Sequence, residues 1–205
     1  MTEGQIVRRL LKPVAWIGCL LPAAWLVRGI VNGNLGADPV KTLTHTTGLS
    51  ALIILLVSLS ISPLRRLLGR PSLVLLRRPI GLFAWFYAVV HFLIYAVFDH
   101  QLSVEEISED IVKHPWVLVG FAALLLLTAL AVTSPAAMVR RLGGRRWQRL
   151  HRLVYPAAML VILHFLWLVK RDRTEPLLYG AILAVLLLAR AVPGLLKVAG
   201  PRRAY

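Results

Sequence analysis

Six long apolar runs, separated by short polar linkers, constrain the fold of this chain more than any other feature. A helix that crosses the hydrocarbon core of a bilayer needs about 20 mostly apolar residues. The runs cover residues 14–30, 49–64, 80–98, 116–134, 150–169 and 177–192. They lack the alternating polarity of strands in a membrane barrel. We therefore predict an all-α, multi-pass membrane protein: one six-transmembrane-helix bundle that forms a single domain over residues 1–205.

Composition supports a lipid environment and excludes several classes of site. Charged residues make up 16% of the chain, against about 25% in soluble domains. The net charge of +15 would suit a nucleic-acid binder, but the basic residues lie in short clusters between apolar runs, so no nucleic acid is expected as a partner. The sequence has no H-E-x-x-H, paired C-x-x-C or glycine-rich nucleotide loop. The single cysteine, Cys19, is expected to pack as a small apolar residue.

The linkers divide the basic residues unequally between the two sides of the membrane. Eighteen lie on one side: Arg8, Arg9, Lys12, Arg65, Arg66, Arg70, Arg77, Arg78, Arg140, Arg141, Arg145, Arg146, Arg149, Arg152, Arg190, Lys197, Arg202 and Arg203. Six lie on the other: Arg28, Lys41, Lys113, Lys170, Arg171 and Arg173. Because loops rich in Lys and Arg stay in the cytoplasm, both termini are predicted to be cytoplasmic.

Two linkers on the less basic side carry further signals. The linker Asn32–Thr47 begins with Asn-Gly and Gly-Ala-Asp-Pro, which is typical of a turn-rich external loop. The linker Asp99–His114 is acidic, and Ser103 with Glu106 three positions later predicts the capped start of a short helix. This segment is either a docking face for a soluble partner or a solvated loop.

Histidines inside the apolar runs are the strongest functional signal, because ionisable groups are costly in lipid. His91 lies 8 residues before Asp99 and His164 lies 6 residues before Lys170, which places them about 12 Å and about 9 Å from the outer ends of their helices. Similar depth on different helices suits two axial ligands of one haem iron. The alternative is that each histidine only forms a hydrogen bond with a neighbouring helix.

Two further histidines are candidates. His151 lies about 20 Å below His164 on the same helix, where it would ligate a second haem or lie at headgroup level as an ordinary polar residue. An ideal helix turns by about 220° between the two, although Pro156 is expected to kink it. His45, at the outer end of the second run, is expected to line a haem edge or a quinone pocket. The alternative is that it is an ordinary polar residue without a functional role.

Short stretches in order along the chain carry a resemblance to a known family. They are LGADPVK at 35–41, HTTG at 45–48, SPLR at 62–65, RRPIGL at 77–82, LGGRRWQRLHRLVY at 142–155, and His164 followed by WLVK at 167–170. Together they make the chain similar to the ferric reductase-like transmembrane family, which includes the membrane part of NADPH oxidases. Within that family it most resembles the haem-binding membrane subunits of bacterial periplasmic methionine sulfoxide reductase systems.

The resemblance implies haem b, one or two per chain. The family holds two haems with a histidine pair on the third span and another on the fifth. This sequence keeps His151 and His164 on the fifth span but only His91 on the third, where Arg77 or Arg78 occupies the position of the lower partner. The arginines would then pair with haem propionates, since Arg suits bidentate carboxylates.

The resemblance also implies an electron route. The oxidases carry flavin and nicotinamide modules after the sixth span, whereas this sequence stops at Tyr205, so electrons are expected from membrane quinol, with FMN also associated. The implied partner is a periplasmic molybdenum-containing reductase subunit (MsrP-like) in a heterodimer that repairs oxidised methionines. The chain is then an inner-membrane electron-transfer subunit, not a catalytic one. The alternatives are a stand-alone ferric or metal reductase, and a small proton-linked transporter without haem.

Overall fold

Eight helices make up this computed structural model, which describes residues 2–169 and 171–191. They are α1 (Glu3–Val31), α2 (Pro39–Leu67), α3 (Pro71–Asp99), α4 (Val104–Lys113), α5 (Pro115–Val132), α6 (Ala136–Leu142), α7 (Gly144–Leu168) and α8 (Thr174–Ala191). All except the short α4 and α6 are long and apolar enough to cross a membrane, and the described residues contain no strand. The predicted all-α architecture with six spans is confirmed.

The second span is longer than its apolar run, and the loop before it is correspondingly shorter. The carboxylate of Asp38 caps α2 by accepting a hydrogen bond from the Lys41 amide at 3.0 Å, and Pro39 occupies the first turn, where it needs no donor. Threonine hydroxyls in the next turns donate to carbonyls of the preceding turn, for example Thr44 to Val40 at 2.9 Å. The predicted loop over Asn32–Thr47 is therefore wrong beyond Asp38.

Other spans also start before their apolar runs: α1 begins at Glu3, where the run suggested residue 14, and α7 begins at Gly144, where it suggested residue 150. Helix α3 starts at Pro71 with a 3-10 turn, where the apolar run suggested residue 80. Helix α4 begins as predicted, because the Ser103 hydroxyl accepts a hydrogen bond from the Glu106 amide at 3.3 Å. A 3-10 turn at His151–Leu153 interrupts α7 just before Pro156. Outside the described residues lie Lys170, Lys197, Arg202, Arg203, Tyr205 and position 192, where the sixth apolar run ends.

Helix α2 lies at the centre of the bundle. More than half of its most apolar window is buried, at 56%, against at most 22% in any other span. It packs most extensively on α3, while α5 packs on α7, and Leu52, Leu55 and Leu59 of α2 are almost fully buried. Large apolar side chains on the outer faces of the spans are exposed, as expected for helices solvated by lipid.

The two ends of the bundle differ in charge. Helices α2 and α5 begin, and α3 and α7 end, at what we call the acidic end, which carries Asp38, Asp99 and α4. The opposite or basic end carries Arg65, Arg77 and the other arginines of the loops there. Which end faces the cytoplasm stays a prediction.

Candidate functional site

A cavity of about 800 Å³ lies between α2, α3, α5 and α7 and extends to the acidic end. Its inner part is apolar, lined by Leu52, Leu55 and Leu127 among others. Its outer part is lined by polar side chains: Asp38, Lys41, His45, Tyr95, Asp99 and Asp110. This size and this mixture of a mostly apolar wall with a few polar groups are typical of cofactor sites.

His91 of α3 and His164 of α7 meet in this cavity. Their ring centroids are 6.3 Å apart and their ring planes are inclined by 80°. An imidazole nitrogen lies about 2 Å from a bound transition metal and about 1 Å from its own ring centre. Two imidazoles on opposite sides of one iron therefore have centroids about 6 Å apart, so the separation of this pair fits a haem iron between them.

Both imidazoles are held through the same ring nitrogen. Nδ1 of His91 lies 2.9 Å from the carbonyl oxygen of Thr44, and Nδ1 of His164 lies 2.7 Å from that of Trp116. A carbonyl can only accept a hydrogen bond, so each Nδ1 carries the proton and each Nε2 keeps its lone pair. This tautomer is the one that a metal-ligating histidine adopts when a second group orients its ring.

A glycine lies against each imidazole. A methyl group added at Gly48 of α2 would come within 3.0 Å of the His91 ring, and one added at Gly120 of α5 within 2.8 Å of Nδ1 of His164. Real Cβ atoms essentially never approach as closely as at Gly120, and the distance at Gly48 is tighter than nine in ten real Cβ contacts. The absence of a side chain at these two positions is therefore what lets both rings reach the backbone of the neighbouring helix.

His45 lies on the same cavity. Its ring packs edge-on against Phe165 of α7, with centroids 6.5 Å apart, and the preceding residue Thr44 supplies the carbonyl that holds His91. The predicted position of His45, beside a haem edge or a quinone pocket, stays a prediction.

The other predicted ligands lie at the basic end and do not line this cavity. The ring of His151 stacks on Trp147, with centroids 4.0 Å apart, and its Nε2 lies 3.2 Å from the hydroxyl of Thr133. Nε of Arg78 donates to the hydroxyl of Ser134 at 3.1 Å. The backbone carbonyl of Arg77 accepts a hydrogen bond from the hydroxyl of Ser58, also at 3.1 Å. A second haem held by His151 with these arginines stays a prediction.

A polar network lies at the outer mouth of the cavity. The carboxylate of Asp110 on α4 accepts hydrogen bonds from the hydroxyl of Tyr95 and from Nδ1 of His114, both at 2.6 Å, and lies 3.5 Å from Nε2 of His100. Burial alone would raise the pKa of the Asp110 carboxyl, but the hydrogen bonds from Tyr95 and His114 outweigh it and hold that pKa below its ordinary value. The network thus ties α4 to α3 and α5.

The sequence interpretation missed the groups that position the two central imidazoles. Two of these groups are backbone carbonyls, at Thr44 and Trp116, which have no residue-type signature. The other two are Gly48 and Gly120. Glycine inside a helix costs about 1 kcal/mol relative to alanine, so a glycine in a predicted span was a signal of close packing that could have been used.

Comparisons with known proteins identify the family of the chain. Residues 42–162 match the family model described as ferric reductase like transmembrane component. That segment contains five of the six predicted site residues. The sixth, His164, lies two residues beyond its end.

Several curated relatives are similar over most of their length. A protein from Rhodospirillum rubrum is 47% identical over 196 residues, which is 94% of each chain. One from Herminiimonas arsenicoxydans is 48% identical over 88% of this chain and 84% of its own, and one from Bordetella pertussis is 48% identical over 86% of each. Each of the three is named as the haem-binding subunit MsrQ of a protein-methionine-sulfoxide reductase.

Proposed function

Because the chain belongs to the ferric reductase-like transmembrane family, and within it to the MsrQ haem-binding subunits of methionine sulfoxide reductase, we propose that it carries electrons from membrane quinol to a periplasmic reductase subunit. The electrons would serve the repair of oxidised methionines outside the cytoplasm. The protein is then a multi-pass inner-membrane subunit of an oxidoreductase complex, and the whole chain forms one domain.

The observation that carries this proposal is the pair His91 and His164. Two imidazoles from separate helices, 6.3 Å apart between centroids and both protonated at Nδ1, supply the donor set of a haem with two axial histidines. Haem b, when bound there, supplies a one-electron carrier. The chain's own part is to fix the two rings, to exclude water with the apolar inner wall of the cavity, and to tune the site through the carbonyls of Thr44 and Trp116.

The position of the cavity supports delivery to the periplasmic side. The pair lies toward the acidic end, and the smaller set of basic residues at that end predicts that it faces the periplasm. A molybdenum-containing, MsrP-like subunit that docks there would approach the cavity mouth near Asp99 and Asp110. The exposed side chains of Glu105, Glu106 and Val112 on α4 offer an acidic and partly apolar face for such a contact.

Cofactor count is part of the proposal. One haem b between His91 and His164 accounts for the cavity, whereas His151 would add a second only if its contact with Thr133 were given up. The FMN that the family resemblance implies stays a prediction, which flavin fluorescence of the purified protein would test.

An optical spectrum of the purified membrane protein tests the haem proposal. We expect sharp reduced-minus-oxidised haem bands, lost in His91→Ala and in His164→Ala and kept in the control His100→Ala, whose ring packs against Tyr95 outside the cavity lining. His151→Ala reports the haem count: unchanged haem per polypeptide supports one haem, and a halved value supports two. A colourless, folded wild-type protein would instead support a proton-linked transporter.

Reoxidation of the reduced protein tests the partner. We expect the haem bands of quinol-reduced protein to decay rapidly when a purified periplasmic methionine sulfoxide reductase subunit and a sulfoxide substrate are added together. Omission of the sulfoxide should limit the decay to a single turnover. Equally rapid decay with ferric citrate, and none with the reductase, would favour a stand-alone metal reductase.

A further inference from the structure

The corner between α6 and α7, residues 136–152, is a strongly positive surface at the basic end. Its six arginines are all exposed: Arg140, Arg141, Arg145, Arg146, Arg149 and Arg152. The sequence contains no Asp or Glu between residues 111 and 171. Within residues 2–169 and 171–191, none of the six arginines forms an ion pair. The charge of this corner is therefore available to a partner from outside the chain.

Three of these arginines share one face of α7. Arg145, Arg149 and Arg152 are spaced i, i+4 and i+7, which aligns their side chains in what we call the arginine stripe. The other side of the same turns is fixed to the bundle through Trp147. Its indole N–H donates to the carbonyl of Thr133 at 2.8 Å, and its ring stacks on that of His151, with centroids 4.0 Å apart. The stripe thus has a defined direction, unlike the arginines of a disordered basic tail.

The arginine stripe lies at the depth of the lipid headgroups. The apolar run that α7 carries into the membrane begins at residue 150, so Arg152 lies at the edge of the hydrocarbon core and Arg145 lies about 10 Å farther out. The headgroup layer on each side of a bilayer is about 5–8 Å thick. The stripe therefore crosses the layer that contains the lipid phosphates, where lipid is the neighbour that the exposed side of a transmembrane helix meets.

We propose that the arginine stripe is a binding surface for anionic phospholipid headgroups. Guanidinium groups present paired donors that match phosphate oxygens, and they keep their charge at any physiological pH. Clusters of basic residues beside a transmembrane helix are attracted to anionic lipids over a distance of about one Debye length. The chain thereby selects anionic over zwitterionic lipids for the layer that touches the start of α7, and the bound headgroups hold this end of the bundle at a constant depth.

This surface is separate from the proposed haem site. None of the three arginines of the stripe lines the cavity that contains His91 and His164. Loss of the stripe should therefore leave the haem bands unchanged, which makes the haem spectrum a folding control for every arginine variant. Absence of haem, conversely, would leave the proposed lipid preference untouched, so the two proposals fail separately.

The association of spin-labelled lipids with the full-length protein tests the proposal. The protein is reconstituted in phosphatidylcholine bilayers, and electron paramagnetic resonance measures how strongly it immobilises traces of labelled phosphatidylglycerol and of labelled phosphatidylcholine. We expect the wild type to prefer phosphatidylglycerol several-fold at low ionic strength, with less preference in high salt, which screens exposed charges. The preference should fall by at least half when Arg145→Gln, Arg149→Gln and Arg152→Gln are combined, and should be largely kept with lysine at the same three positions.

The matched control removes three exposed arginines from the same end but outside the corner, by combining Arg8→Gln, Arg9→Gln and Arg70→Gln. It should keep most of the preference. If the triple stripe variant lacks the haem bands, the single variants Arg145→Gln and Arg149→Gln replace it, and each should lose part of the preference. The proposal is overturned if the wild type does not discriminate between the two lipids. It is also overturned if the control loses as much as the stripe variant, because the attraction would then come from the total charge of this end.

Discussion

Two residues on α2 and two on α5 repeat one arrangement around the central imidazoles. Thr44 supplies a carbonyl to His91 and Gly48 follows it by four positions, while Trp116 and Gly120 have the same spacing toward His164. Side chains on a helix lean toward its N-terminus, so the residue at i+4 lies over the carbonyl at i. Glycine at i+4 leaves that carbonyl open to an imidazole from the neighbouring helix.

Substitution of Gly120 tests this arrangement. In Gly120→Ala the new methyl group would lie 2.8 Å from Nδ1 of His164, so the ring must move and lose its bond to Trp116. Loss of such an orienting bond lowers metal affinity by roughly 10–100-fold, and we expect a similar loss of haem affinity, measured by haem titration of the apoprotein.

The control for this prediction is another helical glycine. Gly18→Ala adds a methyl group in α1 that meets nothing within 4 Å, so haem affinity should stay at the wild-type value. Alanine is the better helix former, so neither variant should lose helicity. Wild-type haem affinity in Gly120→Ala would show that the ring of His164 can be held without the Trp116 carbonyl.

The sequence predicted the depth of the two central histidines but not the groups that hold them. Counting at 1.5 Å per residue from Asp99 and Lys170 placed His91 and His164 at similar levels. The carbonyls of Thr44 and Trp116 belong to the backbone of other helices, and only the packing of α2 on α3 and of α5 on α7 brings them near. Which side of a span faces a neighbour is not encoded in apolar runs that are hydrophobic all round.

Among the elements, α4 depends on one carboxylate. Asp110 accepts hydrogen bonds from Tyr95 and His114, and the pKa of this carboxyl is therefore depressed despite its partial burial. A depressed carboxyl pKa contributes stability that is fully present above the unfolded value, about 3.9, and is lost as the pH falls through the lower, folded value. The attachment of α4 should therefore weaken in acid.

Hydrogen exchange of α4 checks this pH dependence. In the wild type, protection of residues 104–113, corrected for intrinsic exchange, should be constant near neutral pH and fall below about pH 4. In Asp110→Asn it should already be low at neutral pH, with no such acid step. Glu105→Gln, which changes an exposed carboxylate of the same helix, should behave as the wild type. An acid step of unchanged size in Asp110→Asn would assign the titration to another group.

Helix α1 contains Pro22, and the break in its hydrogen bonding is compensated by α3. The buried hydroxyl of Tyr87 donates to the carbonyl of Cys19 at 2.7 Å and accepts from the amide of Ala23 at 3.0 Å. These are the two groups that an uninterrupted helix would join directly. The tyrosine thus inserts into the ladder beside the proline, which is one of the recognised ways in which a helix bends.

Removal of this hydroxyl should destabilise the bundle. In Tyr87→Phe two buried backbone groups lose their partner, which costs about 1–3 kcal/mol in unfolding free energy and should lower the thermal midpoint. Tyr179→Phe is the matched control, because no hydrogen bond of its hydroxyl occurs among the described residues and only a small change is expected. Equal midpoints for Tyr87→Phe and the wild type would show that α1 closes the bond between Cys19 and Ala23 by itself.

The sequence also predicted the number of spans better than their ends. Apolar runs identify the part of each helix in lipid, whereas capping and local side-chain bonds decide where the helix begins. Asp38 and Pro39 start α2 well before its apolar run, and the threonines that follow satisfy their hydroxyls within the helix. A polar stretch of that kind is indistinguishable from a loop when hydropathy alone is considered.

At the scale of the whole molecule, charge and chemistry are divided between the two ends. The acidic end carries α4 and the mouth of the cavity, and the basic end carries most of the arginines of the connecting segments. Electron delivery to a periplasmic partner requires the acidic end to face outward, which is also what the ratio of 18 to 6 basic residues predicts. The electron route and the distribution of basic residues therefore predict the same orientation, with the acidic end in the periplasm.

Cysteine accessibility in intact cells tests that orientation. The only native cysteine, Cys19, is buried, at 8% exposure, so it should react slowly with a membrane-impermeant maleimide. Glu109→Cys, on α4, should be labelled rapidly from outside the inner membrane, and Arg145→Cys, at the start of α7, only after the membrane is inverted or opened. The reverse pattern would place the cavity mouth in the cytoplasm, where a periplasmic partner has no access to it, and the proposed electron route would then fail even if haem were bound between His91 and His164.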